Sequence, residues 1–120
     1  MKEKSKISEN HYVIGIDIGT TNIKGALYSA KGNYLEKASV SYESYTPQNG
    51  FHEQDPEDWV NGFNFILKKL LKYPEAKERL RAIALSCQGG TVLPVDKNYR
   101  PIGRAMTWLD SRGAELFEQD

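Results

Sequence analysis

The chain has 120 residues, the size of one modest domain, and its 16 Lys plus Arg balance 16 Asp plus Glu. That neutrality removes the electrostatic case for nucleic acid or an acidic membrane surface, and no apolar run approaches the ~18–20 residues of a membrane span. With 39% hydrophobic and 11% aromatic residues the chain can bury a core, and its one cysteine, Cys87, excludes an internal disulfide or a multi-thiolate metal site.

Residues 1–11 read as a polar, unpatterned tail, without the apolar stretch of a signal peptide, as in a cytoplasmic protein. Tyr12-Val13-Ile14-Gly15-Ile16-Asp17-Ile18 is nearly continuously apolar, the pattern of a central strand covered on both faces. Gly19-Thr20-Thr21-Asn22 predicts a tight turn, and Ile23-Lys24-Gly25-Ala26-Leu27-Tyr28 a returning strand. After a second turn at Lys31-Gly32-Asn33, residues 34–45 alternate. Tyr34, Ala38, Val40 and Tyr42 share one face, and Lys37, Ser39, Ser41 and Glu43 the other, as in a half-exposed strand near a sheet edge. The opening is thus a three-stranded antiparallel meander.

Asp55-Pro56-Glu57-Asp58 predicts a helix start: Asp55 can cap, Pro56 suits the first position, and the acids favour the positive helix end. Trp59, Phe63, Ile66, Leu67 and Leu70 keep the 3.6 period, a core stripe, and Pro74 stops the helix. Buried strands are predicted at residues 82–87 and 91–96, a turn at Asp96-Lys97-Asn98, a short strand at residues 104–108, and a helix beginning near Ser111. Strands first, then a helix and further strands, define an α/β fold with a mixed sheet.

The segment richest in chemistry is Gly15-Ile16-Asp17-Ile18-Gly19-Thr20-Thr21-Asn22-Ile23-Lys24, where a strand delivers a carboxylate into a Gly-Thr-Thr turn. Turn N–H groups and two hydroxyls can surround an anion, and Lys24 can add positive charge. Asp17 beside a phosphate calls for a cation between them, which points to a Mg²⁺–nucleotide. A plain hairpin with a helpful glycine and two β-favouring threonines is the other reading of these residues.

This segment resembles the first phosphate motif of the superfamily that contains actin, Hsp70 chaperones and sugar kinases, a strand–turn–strand rather than a strand–loop–helix. Three further segments are similar to those of FGGY carbohydrate kinases, of the xylulose kinase kind. They are Phe51-His52-Glu53-Gln54-Asp55-Pro56-Glu57-Asp58-Trp59, Ile83-Ala84-Leu85-Ser86-Cys87-Gln88-Gly89-Gly90-Thr91, and Arg104-Ala105-Met106-Thr107-Trp108-Leu109-Asp110-Ser111-Arg112. The resemblance implies a ribonuclease H-like mixed sheet, incomplete in this chain, with residues 12–120 as the N-terminal part of the kinase's first domain. It implies that Asp17 serves Mg²⁺ and the reacting phosphate, and that Gly19, Thr20, Thr21, Asn22 and Lys24 line the phosphates of ATP. Gln88, Gly89 and Gly90 would approach the sugar, with Trp108, Asp110 and Arg112 nearby.

Xylulose kinases usually carry methionine-histidine, and glycerol kinases arginine-glutamate, where this chain has Gly89-Gly90, so the resemblance leaves the sugar open. It also implies that the general base and an adenosine-holding second domain lie outside these 120 residues, so that this chain alone is inactive. An Hsp70-like or actin-like ATP-binding module would share residues 17–22 but not the later pair of segments, and a non-catalytic fragment that packs with another chain is a third reading. The remaining residues have plainer roles. His11 and His52 read as loop residues, Cys87 as a buried strand residue, and the acids around Asp55 as helix capping rather than a metal cluster. Trp108 reads equally as core or as a platform for a sugar's C–H face. Sugar and ATP are the expected partners, with no nucleic acid or membrane, and the apolar strands make a homo-oligomer a further expectation.

Overall fold

The computed structural model describes residues 10–114. The meander forms as expected: β1 (Tyr12–Ile18), β2 (Asn22–Ser29) and β3 (Tyr34–Ser41) pair antiparallel. β4 (Glu53–Gln54), α1 (Pro56–Leu70) and α2 (Ala76–Arg79) follow, and β5 (Leu80–Cys87) then returns parallel to β1. The main sheet has the order β3-β2-β1-β5 and is mixed; β4 pairs with β6 (Ala105–Met106) in a small second sheet.

α1 forms where the capping signals place it. The Asp55 carboxylate accepts the Glu57 N–H at 2.9 Å, Pro56 opens the helix, and Lys68 and Lys69 occupy its last turn. The helix lies on β2 and β3, and glycine permits the close crossing. A Cβ on Gly25 would stand 2.3 Å from Ile66 Cγ2, and one on Gly62 would stand 2.5 Å from Ile23 Cδ1. Ile14, Ile23, Leu27, Ile66 and Leu70 close the core between helix and sheet, all fully buried. Truncating Leu70 to Ala would cost about 2–5 kcal/mol.

Several expectations change. β1 is covered on one face only: Tyr12, Ile14 and Ile16 are buried against the core, whereas Gly15 and Asp17 are exposed. β5 forms, but as an exposed strand rather than a buried one, because α1 lies over β2 and β3 and leaves Ile83 and Leu85 uncovered. Cys87 is exposed for the same reason. Tyr34 leaves the face of Ala38 and Val40. The β2–β3 register shifts between Leu27 and Tyr28, so Leu35 packs toward the core and Tyr34 meets the Tyr28 ring edge-on.

Residues 91–96 make isolated bridges, Val92 to Met106 and Val95 to Pro101, instead of a strand; Pro94 has no N–H to offer a ladder. The 104–108 strand contracts to the two residues of β6. Most of the helix expected from Ser111 lies outside the described residues. No helix among the described residues is long and apolar enough to cross a membrane.

Candidate functional site

Parallel pairing of β1 with β5 decides where the chemistry collects. Ile18 is registered with Cys87, so both strands end at the same edge of the sheet, and the Gln88 N–H donates to the Ile18 carbonyl at 2.9 Å. The 19–22 turn and Gln88-Gly89-Gly90 are therefore neighbours, although nearly 70 positions separate them in sequence.

The turn is held on several sides. Gly19 N–H donates to the Asn22 carbonyl at 3.0 Å, closing it, and the Tyr42 hydroxyl donates to the Gly19 carbonyl. Burial, and then the negative charge of Asp17, push the Tyr42 phenol up, so it remains a donor. Asp17 is exposed at the end of β1, opposite Lys24 in the β1–β2 ladder, and Thr21 is exposed at the tip. A Cβ on Gly19 would lie 3.1 Å from the Asn22 carbonyl oxygen and 3.4 Å from Asp17 Oδ2, so the turn folds back on the carboxylate as a cradle that glycine leaves open. Among the described residues no three His, Cys, Asp or Glu side chains cluster as a metal site. A cation here would have one carboxylate together with water and phosphate oxygens, a donor set that suits Mg²⁺.

Trp108 joins the two halves. It is 56% exposed, which removes the core reading, and its indole N–H donates to Thr20 Oγ1 at 3.0 Å. Gly90, at φ +67°, sits against it: a Cβ there would meet Trp108 Cβ at 3.2 Å. Gly89 faces open space. The Gln88 side chain is turned inward, donating from Nε2 to Gln54 Oε1 at 2.8 Å.

Asp110 and Arg112 form a closed clamp with Glu53. Asp110 Oδ2 accepts the His52 N–H at 2.9 Å and Arg112 Nη2 at 2.6 Å, and Oδ1 accepts the Arg112 N–H at 3.1 Å. Arg112 Nη2 also reaches Glu53 at 2.7 Å, and its guanidinium stacks 3.7 Å from the Phe51 ring centroid. The Arg112 guanidinium, with the backbone N–H donors of His52 and Arg112, holds the Asp110 carboxyl well below the usual range; Asp110 and Glu53 in turn push Arg112 up. His52 serves the same corner, its Nδ1 2.6 Å from Thr107 Oγ1. Capping accounts for Asp55, whereas Glu53 is an ion-pair residue.

Sequence reasoning gave no role to Tyr42, Ser44 or Gln54. Tyr42 reads only as part of the alternating face of residues 34–45 and Gln54 only as part of a family-like segment; long-range contacts reveal the part each polar group plays.

A chain with this sheet, this turn and these strand ends has close structural kin. The crystal structure of gluconate kinase from Lactobacillus acidophilus matches with TM-score 0.84 and 25% identity, over 90% of this chain and 22% of that one. The chain is also 34% identical over 109 residues to a xylulose kinase of Lactococcus lactis, covering 90% of itself and 22% of that protein. It is 35% identical over 102 residues to a gluconokinase of Bacillus subtilis, covering 84% of itself and 20% of that protein. Residues 12–119 match the N-terminal domain of the FGGY family of carbohydrate kinases, and the chain belongs to that family. The expected ribonuclease H-like α/β fold of the sugar kinases stands, and membership sets the chain apart from Hsp70 and actin. The chain spans about a fifth of the length of the curated relatives it matches.

Proposed function

We propose that the polypeptide carrying this chain transfers the γ-phosphoryl group of ATP to a hydroxyl of a sugar, a pentulose such as xylulose. The observation that carries this is the shared sheet edge, where the Asp17–Thr21 turn and Gln88-Gly89-Gly90 lie side by side with Trp108 across them. Phosphoryl transfer needs a nucleotide phosphate and an acceptor hydroxyl held together and the developing charge stabilised. The turn supplies N–H groups, the Thr20 and Thr21 hydroxyls, Asn22 and the nearby Lys24 charge for the phosphates. Mg²⁺, when bound, shields charge on the phosphate oxygens, and Asp17 is the residue that would hold it.

On the acceptor side Gly89 and Gly90 offer backbone groups and space, and the exposed Trp108 ring offers a face for sugar C–H bonds. Gln88 contributes its backbone, since its side chain is engaged with Gln54. Asp110 and Arg112 act by fixing the loop that carries Trp108. With its oxygens occupied and its acidity raised by Arg112, Asp110 is unsuited to take the hydroxyl proton. That base is assigned to a segment outside these residues, and a cytoplasmic location follows from the use of ATP. Relatives named xylulose kinase and gluconokinase leave both a ketose and an acidic sugar in play. Coupled ADP release by the full-length polypeptide across xylulose, other pentuloses, gluconate and glycerol tests the reading. Pentulose-dependent turnover is expected, and turnover with gluconate alone would move the substrate to an acidic sugar.

A further inference from the structure

Gln54 is wholly buried and touches neither proposed ligand, yet it binds four separate segments of the chain. Its Nε2 donates to the Thr20 carbonyl at 2.6 Å and to Ser44 Oγ at 2.8 Å. Its Oε1 accepts from Trp59 Nε1 at 3.2 Å and from Gln88 Nε2 at 2.8 Å. A glutamine amide has two N–H donors and two carbonyl lone pairs, so every hydrogen-bonding position is filled.

The amide has one possible orientation. An indole N–H only donates and a backbone carbonyl only accepts, so Oε1 must face Trp59 and Nε2 must face Thr20. Gln88 is fixed in turn, because only its Nε2 can answer Gln54 Oε1. The phosphate turn and the strand end that follows β5 are therefore tied to one rigid group, which α1 anchors through Trp59.

From this geometry we infer that Gln54 is a positioning residue that sets the phosphate turn against the sugar-side strand end. Its part in turnover rests on the kinase reading above; its part in holding the two segments together does not. Near-attack geometry is sensitive to displacements of an ångström, so loosening this tie should lower turnover more than either binding step.

Two substitutions in the full-length polypeptide test it. Gln54→Met keeps side-chain length and removes all four bonds. Gln54→Glu keeps both acceptor bonds, removes the donors to Thr20 and Ser44, and serves if the methionine protein does not fold. Leu67→Ala, a core truncation on α1 away from this group, controls for general loss of stability.

Melting temperature, kcat, KM for ATP and sugar, and hydrogen exchange of the 19–22 amides are measured for each. Gln54→Met should lower kcat by about 10²-fold with both KM values within about threefold, and the turn amides should exchange at least about tenfold faster. Leu67→Ala should lower the melting temperature and leave kcat and turn exchange near wild type. A Gln54 variant that melts earlier but keeps wild-type kcat and turn exchange would overturn the inference. If the wild-type polypeptide phosphorylates no sugar, the kinase reading fails, and amide exchange alone decides whether Gln54 holds the two segments.

Discussion

The Trp108 indole N–H donates to Thr20 Oγ1 at 3.0 Å, joining residues 88 positions apart. One side chain thus touches the proposed phosphate turn with its nitrogen, while its ring stays exposed for the proposed sugar. Trp108→Phe keeps an aromatic face and releases the Thr20 hydroxyl. KM for ATP should rise severalfold in that variant, with a smaller change for the sugar, whereas Trp108→Ala should raise both. Steady-state titration of each substrate at saturating levels of the other checks this, and equal effects of the two variants on both constants would contradict it.

Asp17→Asn should lower kcat strongly and leave sugar affinity nearly intact. Asp17 lies at the end of β1 against the open side of the Gly19 turn, where its charge would hold the cation. Losing an electrostatic contact made in the transition state costs about 10²-fold or more. Near-normal turnover in the amide variant would sink the role given to Asp17.

Gly90→Val should impair sugar binding more than nucleotide binding. Gly90 has φ +67°, where a branched side chain is strained, and its Cβ would press on Trp108 Cβ at 3.2 Å. Isothermal titration with the sugar and with Mg·ATP separates the effects, and an unchanged sugar Kd would reduce the glycine pair to a turn.

The helix, the meander and the Asp17 turn were legible because each is a local signal: a cap, a period, a glycine beside a strand end. What stayed hidden was long-range. Nothing around Gln54 shows that it will meet Thr20, Ser44, Trp59 and Gln88 in a buried site, because a polar residue carries no periodicity to betray its burial. The apolar run 82–87 announced a strand but could not report which neighbours cover it, and β5 is exposed where a buried strand was expected. Asp110 and Arg112 were picked out through a family likeness that implied a place near the sugar; that the Arg112 guanidinium pairs with both Asp110 and Glu53 is a long-range fact the sequence does not carry.

That clamp has a pH signature. Asp110 is held below its ordinary value of 3.8, chiefly by hydrogen bonds from Arg112. A carboxyl lowered on folding adds stability that is fully present above its unfolded value and is lost as pH falls toward the folded one. Melting temperature should therefore fall from about pH 5 downward more steeply in the wild type than in Asp110→Asn, with the curves converging in acid. Parallel curves across that range would show that the clamp adds nothing to the fold.

The part of the helix-bearing face that α1 leaves uncovered, beside β5, governs how the isolated 120-residue polypeptide should behave. Leu85 is 62% exposed and Val60 58%, with Ile83 beside them, and a groove between α1 and β5 is lined by Trp59, Phe63 and Leu93. Large apolar side chains left in contact with water favour association. The isolated polypeptide should self-associate, bind Mg·ATP weakly or not at all, and phosphorylate nothing, since the proposed base lies elsewhere. Leu85→Lys places a charge in the lining of the groove and should shift the population toward monomer without restoring turnover. Light scattering of both proteins, with coupled ADP release over the sugar panel, measures the two properties separately. Association that Leu85→Lys leaves untouched would move the contact to another face. A monodisperse wild-type monomer with sugar-dependent turnover would place the base within these residues and reopen the case for Asp110.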